Sequence, residues 1–232
     1  MITDNVLIGF ETMHWIRQRI GCKMGYVALK LDMSKAYDRV ELNFLKGMML
    51  RLGFDNGWVE VVMRRVSSIS YSFILNGQVQ GALTPNRGIR QGDPLSPYLF
   101  VICAHGFSEL LIDFERKKLL KGVKIVTSCP FITHLFFADD NLIFCMAKQA
   151  ECFHLRHCLN LYEKAFGQSI NFDKSALSFS PNTGEMDREE ICAVFGVAQV
   201  EGYDMYLGVP TFSMRNKRLQ FGYIHDGVFK KL

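Results

Sequence analysis

The tightest constraint in this sequence is an acidic pair wedged between apolar runs, Leu135-Phe136-Phe137-Ala138-Asp139-Asp140-Asn141-Leu142-Ile143-Phe144. Apolar runs bounded by turn formers predict two buried strands, and Asp-Asp-Asn between them predicts a tight hairpin turn. Taken alone, the pair fits ordinary solvated turn residues, because loops favour Asp. Its neighbours change the balance. Adjacent carboxylates repel each other, and flanking Phe and Leu side chains lower the local dielectric. A cation offsets that cost, and hard oxygen donors suit Mg²⁺.

A third carboxylate is set up in a similar way. The stretch Gly25 to Asp38 rises through an apolar strand, 26–32, to Asp32, and a helical pattern follows. An Asp at a strand end just before a helix stands at the sheet edge, where ligands bind in open α/β sheets. The ordinary alternative is a helix cap, a role that Ser34 also fits. Three carboxylates drawn together would serve two metal ions, the arrangement used for in-line nucleotidyl transfer.

Length and composition bound the rest. The 232 residues are enough for one domain or one large piece of a domain, and 49% apolar content supplies a core. A net charge of +4 permits a nucleic-acid partner without demanding one. Seven cysteines with no Cys-x-x-Cys pair predict free thiols in a reducing compartment, hence the nucleus or cytoplasm rather than secretion. The run Cys152-Phe-His-Leu-Arg-His-Cys158 is not a zinc site, because helical spacing cannot aim Cys152, His154 and His157 at one ion. Met1-Ile-Thr-Asp-Asn lacks the basic start and apolar core of a signal peptide. The most apolar run, Tyr98 to Ile112, is interrupted by His105 and Glu109 and reads as a buried helix, so no membrane partner is expected.

Along the chain, Thr3 to Ile20 predicts a helix with Val6, Phe10, Met13 and Ile16 or Trp15 on its inner stripe. A second helix carries Leu45, Met48, Met49 and Leu52 and stops at Gly53. A third, about 57–69, carries the solvated pair Arg64-Arg65. Asn76-Gly77 between two apolar runs predicts a hairpin over 71–80, because both residues tolerate positive φ. In the loop from Thr84 to Asp93, Gly88 and Gly92 give the backbone freedom to approach a ligand. Ser96-Pro97 opens the long apolar helix. A short strand 122–126, a helix of about 149–166, a strand 174–180, a helix 187–195 and a strand 205–209 complete the set. Helices interleaved with two hairpins predict an α+β fold, an antiparallel sheet packed on helices, rather than a doubly wound parallel sheet.

Taken in order, these motifs resemble the reverse transcriptase of non-LTR (LINE-type) retrotransposons, especially those of plants. The resemblance rests on Leu31-Asp32 to Asp38, the run Arg87-Gly-Ile-Arg-Gln-Gly-Asp-Pro-Leu-Ser-Pro-Tyr-Leu-Phe100, Phe137-Ala138-Asp139-Asp140, Ser169 to Ser175, and Tyr206-Leu-Gly-Val-Pro-Thr211. It is collinear and covers nearly the whole chain. It implies the palm of a right-hand-shaped polymerase with part of the fingers and no separate second domain. The implied activity is RNA-directed DNA polymerisation with two Mg²⁺ ions, Mn²⁺ being the alternative, on an RNA template, a DNA primer and deoxynucleoside triphosphates.

By the same resemblance, Asp32, Asp139 and Asp140 are the metal-ligating carboxylates, and the Met33 carbonyl adds a ligand. Tyr37 gates against the ribose 2′-hydroxyl, although a helical Tyr is more often core packing. Gln91 and Gly92 touch the incoming nucleotide and the template base. Lys174 protonates pyrophosphate or, equally, is a surface salt-bridge lysine. Tyr206, Leu207 and Gly208 form the primer grip. Leu42, His105, Asn141 and Phe166 depart from the family pattern. The upstream fingers segment, the thumb and an endonuclease domain of the family have no counterpart in these residues, so a truncated copy, weak in processive synthesis, is expected. A catalytically inactive nucleic-acid-binding relic is the alternative. A nucleotide cyclase sharing the palm is disfavoured, having no use for the loop from Gly88 to Pro97.

Overall fold

The computed structural model describes residues 2–138, 140–200, 205–207, 209–210 and 222. Its centre is a four-stranded antiparallel sheet built from β1 (Tyr26–Leu31), β4 (His134–Phe137), β5 (Asp140–Met146) and β6 (Ala176–Phe179), in the order β4-β5-β1-β6. β1 is apolar along nearly its whole length because both faces are covered. Val27, Leu29 and Leu31 point into the larger core, while Tyr26 and Ala28 point into a second one. β5 splits the same way, with Ile143 and Cys145 on the first face and Leu142, Phe144 and Met146 on the second. Period-two alternation thus feeds two layers at once.

The first face is covered chiefly by α4 (Ser96–Arg116) and α5 (Gln149–Phe166), backed by α2 (Leu42–Arg51), α3 (Asn56–Ser67) and α6 (Glu185–Phe195). α1 (Ile2–Arg17) covers the second. Its inner stripe is Gly9, Thr12, Met13 and Ile16. Val6 and Phe10, expected inside, are half-buried instead. α5 matches its expected span and ends at Gly167, whose φ of +69° fits a glycine C-cap.

Four other expectations need correction. No helix follows Asp32 directly: residues 34–39 form turns, and α2 begins only at Leu42. The expected strand at 122–126 is a single bridge, in which Val123 and Ile132 exchange backbone hydrogen bonds of 2.9 and 2.7 Å. The expected strand at 205–209 divides into β7 (Met205–Tyr206) and β8 (Val209–Pro210), turning at Leu207. α4 runs longer than the apolar run, and its 21 residues are long and apolar enough to cross a membrane by length and composition. Only one face is buried, with Leu99, Phe100, Cys103, Phe107, Leu111 and Phe114 in the core, while Tyr98 and Val101 are exposed.

The remaining hairpin, β2 (Tyr71–Leu75) and β3 (Gln78–Leu83), forms around Asn76-Gly77, with φ of +50° and +79°. Both residues adopt the positive φ that a two-residue hairpin turn requires. Every residue of both strands is exposed.

Candidate active site

The site forms where β1 ends and β5 begins. The two strands pair through Leu31 and Asn141, so Asp32 leaves β1 one residue beyond that pair and Asp140 opens β5 one residue before it. Antiparallel register therefore brings these two acidic positions to one end of the sheet. Asp140 also pairs with Phe137 across the β4–β5 hairpin. The chain thus turns after Phe137, at Ala138, ahead of the expected Asp-Asp-Asn, and Asp140 and Asn141 already belong to the strand. Ala138 sits at φ +54°, a left-handed value that costs an L-residue about 1–2 kcal/mol. Asp139 lies outside the described residues.

Asp32 is held by its backbone. Its N–H donates to Ser175 Oγ at 3.2 Å, and its carbonyl accepts from the Asn171 N–H at 2.9 Å. Ser175 Oγ donates in turn to the Asn171 carbonyl at 2.8 Å. Next door, Met33 bridges Ile170, and the Ser34 N–H bonds to the Ser169 carbonyl. Ser34 therefore ties two loops together instead of capping a helix. Both backbone groups of Asp32 are thus engaged, which fixes the direction of its Cα–Cβ bond, and the residue is half-buried. Lys174 lies in the same 169–175 loop and is exposed, and its N–H bonds back to the Asn171 carbonyl at 3.2 Å. Met33 is buried.

The turns after Asp32 carry Tyr37. Its ring stacks on Phe100 of α4 at 4.9 Å and an interplanar angle of 10°. Phe100 also lines a depression of about 220 Å³ with Phe136 and Ala138, so the Tyr37 stack and the hairpin border one space. The turns are stitched to the loop ahead of α4 by two bonds, Gly88 N–H to Val40 carbonyl and Ile89 N–H to Tyr37 carbonyl. Gly88 is thus needed for close approach to the chain itself: a Cβ there would lie 2.7 Å from the Asp38 carbonyl oxygen. Gly92, at φ +84°, does face open space, beside the exposed Gln91.

Tyr206 packs on the other side of the sheet, in the second core with Leu142 and Phe144, and Leu207 follows at φ +51°. The Tyr206 hydroxyl is buried with no hydrogen-bond partner among the described residues. Burial, with the Asp140 carboxylate as a lesser cause, pushes that phenol up to about 12. Gly208 lies outside the described residues.

Sequence reading missed Gln168 and Glu163. Gln168 is buried, and its Nε2 donates to the Ala36 carbonyl at 2.8 Å, anchoring the turns that carry Tyr37. Glu163 Oε1 accepts from the Ile170 N–H at 2.8 Å. Neither position carries a local signal, because each acts on a partner distant in sequence or around a helix end. Of the positions that depart from the family pattern, Phe166 is accounted for by packing: its ring lies 3.7 Å from Phe44, in space left open by Gly106.

Does this donor set fit a divalent cation? Asp32 and Asp140 are hard oxygen donors at one end of paired strands, the type of ligand that Mg²⁺ takes. Among the described residues no group of three His, Cys, Asp or Glu forms a metal cluster, and Asp139 is not one of those residues. The two carboxylates that are described fit.

Comparison with known families decides the assignment. The family described as "Reverse transcriptase (RNA-dependent DNA polymerase)" matches residues 2–210. The chain belongs to the reverse transcriptase family. Members of this family use divalent metal ions, and the retrotransposon resemblance read from the motifs holds. An uncharacterised mitochondrial protein of Arabidopsis thaliana is 50% identical over 68 residues, 29% of this chain and 56% of that protein. The retrovirus-related Pol polyprotein from a type-1 R2 retrotransposable element of Popillia japonica is 29% identical over 130 residues, 56% of this chain and 20% of the polyprotein. The fold also resembles telomerase from Candida tropicalis in complex with a fragment of telomeric RNA, with a TM-score of 0.60 at 14% identity, over 95% of this chain and 33% of the telomerase. This reverse transcriptase chain thus has an α+β, palm-type fold, and it spans between 13% and 56% of the length of the curated relatives it matches.

Proposed function

We propose that this chain carries the nucleotidyl-transfer site of an RNA-directed DNA polymerase. The observation that carries the reading is the β1–β5 register, in which Asp32 and Asp140 stand together just beyond the Leu31–Asn141 pair at one end of the sheet. Asp32, Asp139 and Asp140 would hold two Mg²⁺ ions, or Mn²⁺ in their place, and the Met33 carbonyl would add a ligand. Bound there, the ions supply Lewis-acid stabilisation of the attacking and leaving oxygens.

The chain's own residues do the positioning. The bonds from Ser175 and Asn171 hold Asp32 still, so little reorganisation is needed when charge develops. Tyr37, braced by Phe100, presents a flat ring that would exclude a ribose 2′-hydroxyl and admit deoxynucleoside triphosphates. Gln91 and Gly92 lie on an exposed loop, where Gln offers both a donor and an acceptor to the nucleotide or the template base. Lys174, exposed beside the Asp32 loop, would give a proton to the leaving pyrophosphate. The segment Tyr206-Leu207-Gly208 would hold the DNA primer end on the RNA template.

The test is Tyr37→Ala in an enzyme that extends a primer. Ribonucleotides should enter while deoxynucleotide use persists, because removing a clash relaxes specificity more than it slows chemistry. Unchanged discrimination would reject the gate.

A further inference from the structure

We propose that α1 is a clamp that sets the position of the β4–β5 hairpin, Asn5 being its positioning residue and Gly9 the seat that brings Tyr206 against the same helix. The proposal rests on the polymerase reading for its kinetic consequences and on geometry alone for the clamp.

Among the described residues β4 is the outermost strand of the sheet, four residues long, with a strand partner on one side only. Short edge strands fray unless something holds them. Asn5 Nδ2 donates to the Phe136 carbonyl at 2.8 Å, a full-strength geometry, across 131 residues of sequence. Phe136 lies two residues ahead of Ala138, whose left-handed backbone needs the surrounding structure to hold it. The amide thus grips the hairpin just before its strained turn.

Gly9 is one helical turn on and shares Asn5's face. A Cβ at Gly9 would stand 3.0 Å from Tyr206 Cδ1, 3.1 Å from Cε1 and 3.6 Å from Leu135 Cδ1. A Cβ there would make the Tyr206 ring give by a few tenths of an ångström, while its contact with Leu135 of β4 would be ordinary packing. One rigid face therefore references two parts of the site, the acidic hairpin and the segment assigned to the primer. Carboxylate and primer end must keep their spacing within a fraction of an ångström for in-line attack, and an error of about 1 Å costs about a hundredfold in rate.

The test uses the full chain with Asn5→Ala, Asn5→Gln and Gly9→Ala, and Leu7→Ala on the exposed face as control. Ala raises helix propensity, so Asn5→Ala cannot act by melting α1. Amide hydrogen exchange across 134–146 should quicken about tenfold in Asn5→Ala, the equivalent of one lost hydrogen bond, with β1 and β6 unchanged. Asn5→Gln, which keeps the donor, should recover part of that protection, and Leu7→Ala should match wild type. In single-nucleotide addition, Asn5→Ala and Gly9→Ala should lower kcat about tenfold or more while nucleotide KM stays within about twofold. Unchanged exchange in Asn5→Ala, or equal loss in Leu7→Ala, overturns the clamp. Faster exchange with unchanged kcat overturns its positioning role. A wild-type chain that adds no nucleotide would count against the polymerase reading, and the exchange result would still decide the clamp.

Discussion

Replacing Gly88 by Ala should detach the loop ahead of α4 from the turns that carry Tyr37. Three penalties act together. Gly88 has φ +91°, a conformation that costs an L-residue about 1–2 kcal/mol. The new Cβ would lie 2.7 Å from the Asp38 carbonyl oxygen and 3.1 Å from Asp38 C and Cα. These are backbone atoms, so no side-chain rotation relieves the contact. Relief requires the two segments to separate, and separation lengthens the Gly88-to-Val40 and Ile89-to-Tyr37 hydrogen bonds, now 2.8 and 2.9 Å, each worth about 1 kcal/mol. The expected loss is about 3–4 kcal/mol, a large share of a typical stability of about 5–15 kcal/mol. With a urea m-value of about 2–3 kcal/mol per M, the midpoint should fall by more than about 1 M. Trypsin should also cut faster at Arg87 and Arg90, both exposed on the loosened loop. A midpoint within about 0.3 M of wild type, a shift barely beyond extrapolation error, would refute the reasoning if cleavage were also unchanged.

Three further outcomes follow from buried groups. His134 is packed between Ser108 Oγ at 2.7 Å and Thr133 Oγ1 at 2.8 Å, and burial pushes its pKa down to about 4. The unfolded imidazole, near 6.5, takes up its proton first, so stability should drop as pH falls from about 6.5 to 4, by on the order of 3 kcal/mol. His134→Gln should flatten that slope in urea titrations; equal slopes would contradict it. Of the seven thiols, exposed Cys22 and Cys129 should react quickly with a disulfide reagent and half-buried Cys192 more slowly. Buried Cys103, Cys145, Cys152 and Cys158 should react only on unfolding, since burial also holds Cys103 and Cys158 up at about 12; four fast thiols would count against this packing. Gln168→Leu should cost about 1–2 kcal/mol by leaving the buried Ala36 carbonyl without its donor, read as a lower thermal midpoint.

How much of this was legible in the sequence depended on the range of the interactions. The β2–β3 turn could be read because Asn76 and Gly77 decide it locally through positive φ. α5 could be read because eighteen residues of helical periodicity end at a glycine. The acidic ends of β1 and β5 stood out because apolar strands on both sides leave Asp no ordinary place. The segment after Asp32 misled, since its pattern looks helical while bonds from Ser169 and Gln168 hold it in turns. Those partners lie more than 130 residues away, beyond any local signal. Gly88 misled for the same reason, its open φ serving contact with Asp38. The exposure of β2 and β3 was likewise unreadable, because apolar alternation predicts a buried face and says nothing of whether another layer lies against it.

In the proposed function, the acidic ends of β1 and the β4–β5 hairpin form one metal-dependent nucleotidyl-transfer site. Single-nucleotide addition to a DNA primer on an RNA template tests it most directly, with Mg²⁺ and excess enzyme, comparing wild type with Asp32→Asn, Asp139→Ala and Asp140→Asn at matched folded fraction. Wild type should show template-directed addition, abolished by chelation, and Asp32→Asn and Asp139→Ala should lose at least about a hundredfold with the fold retained. Addition that survives in those two variants, or a wild-type chain that adds nothing to a primer it binds, would contradict the proposed function.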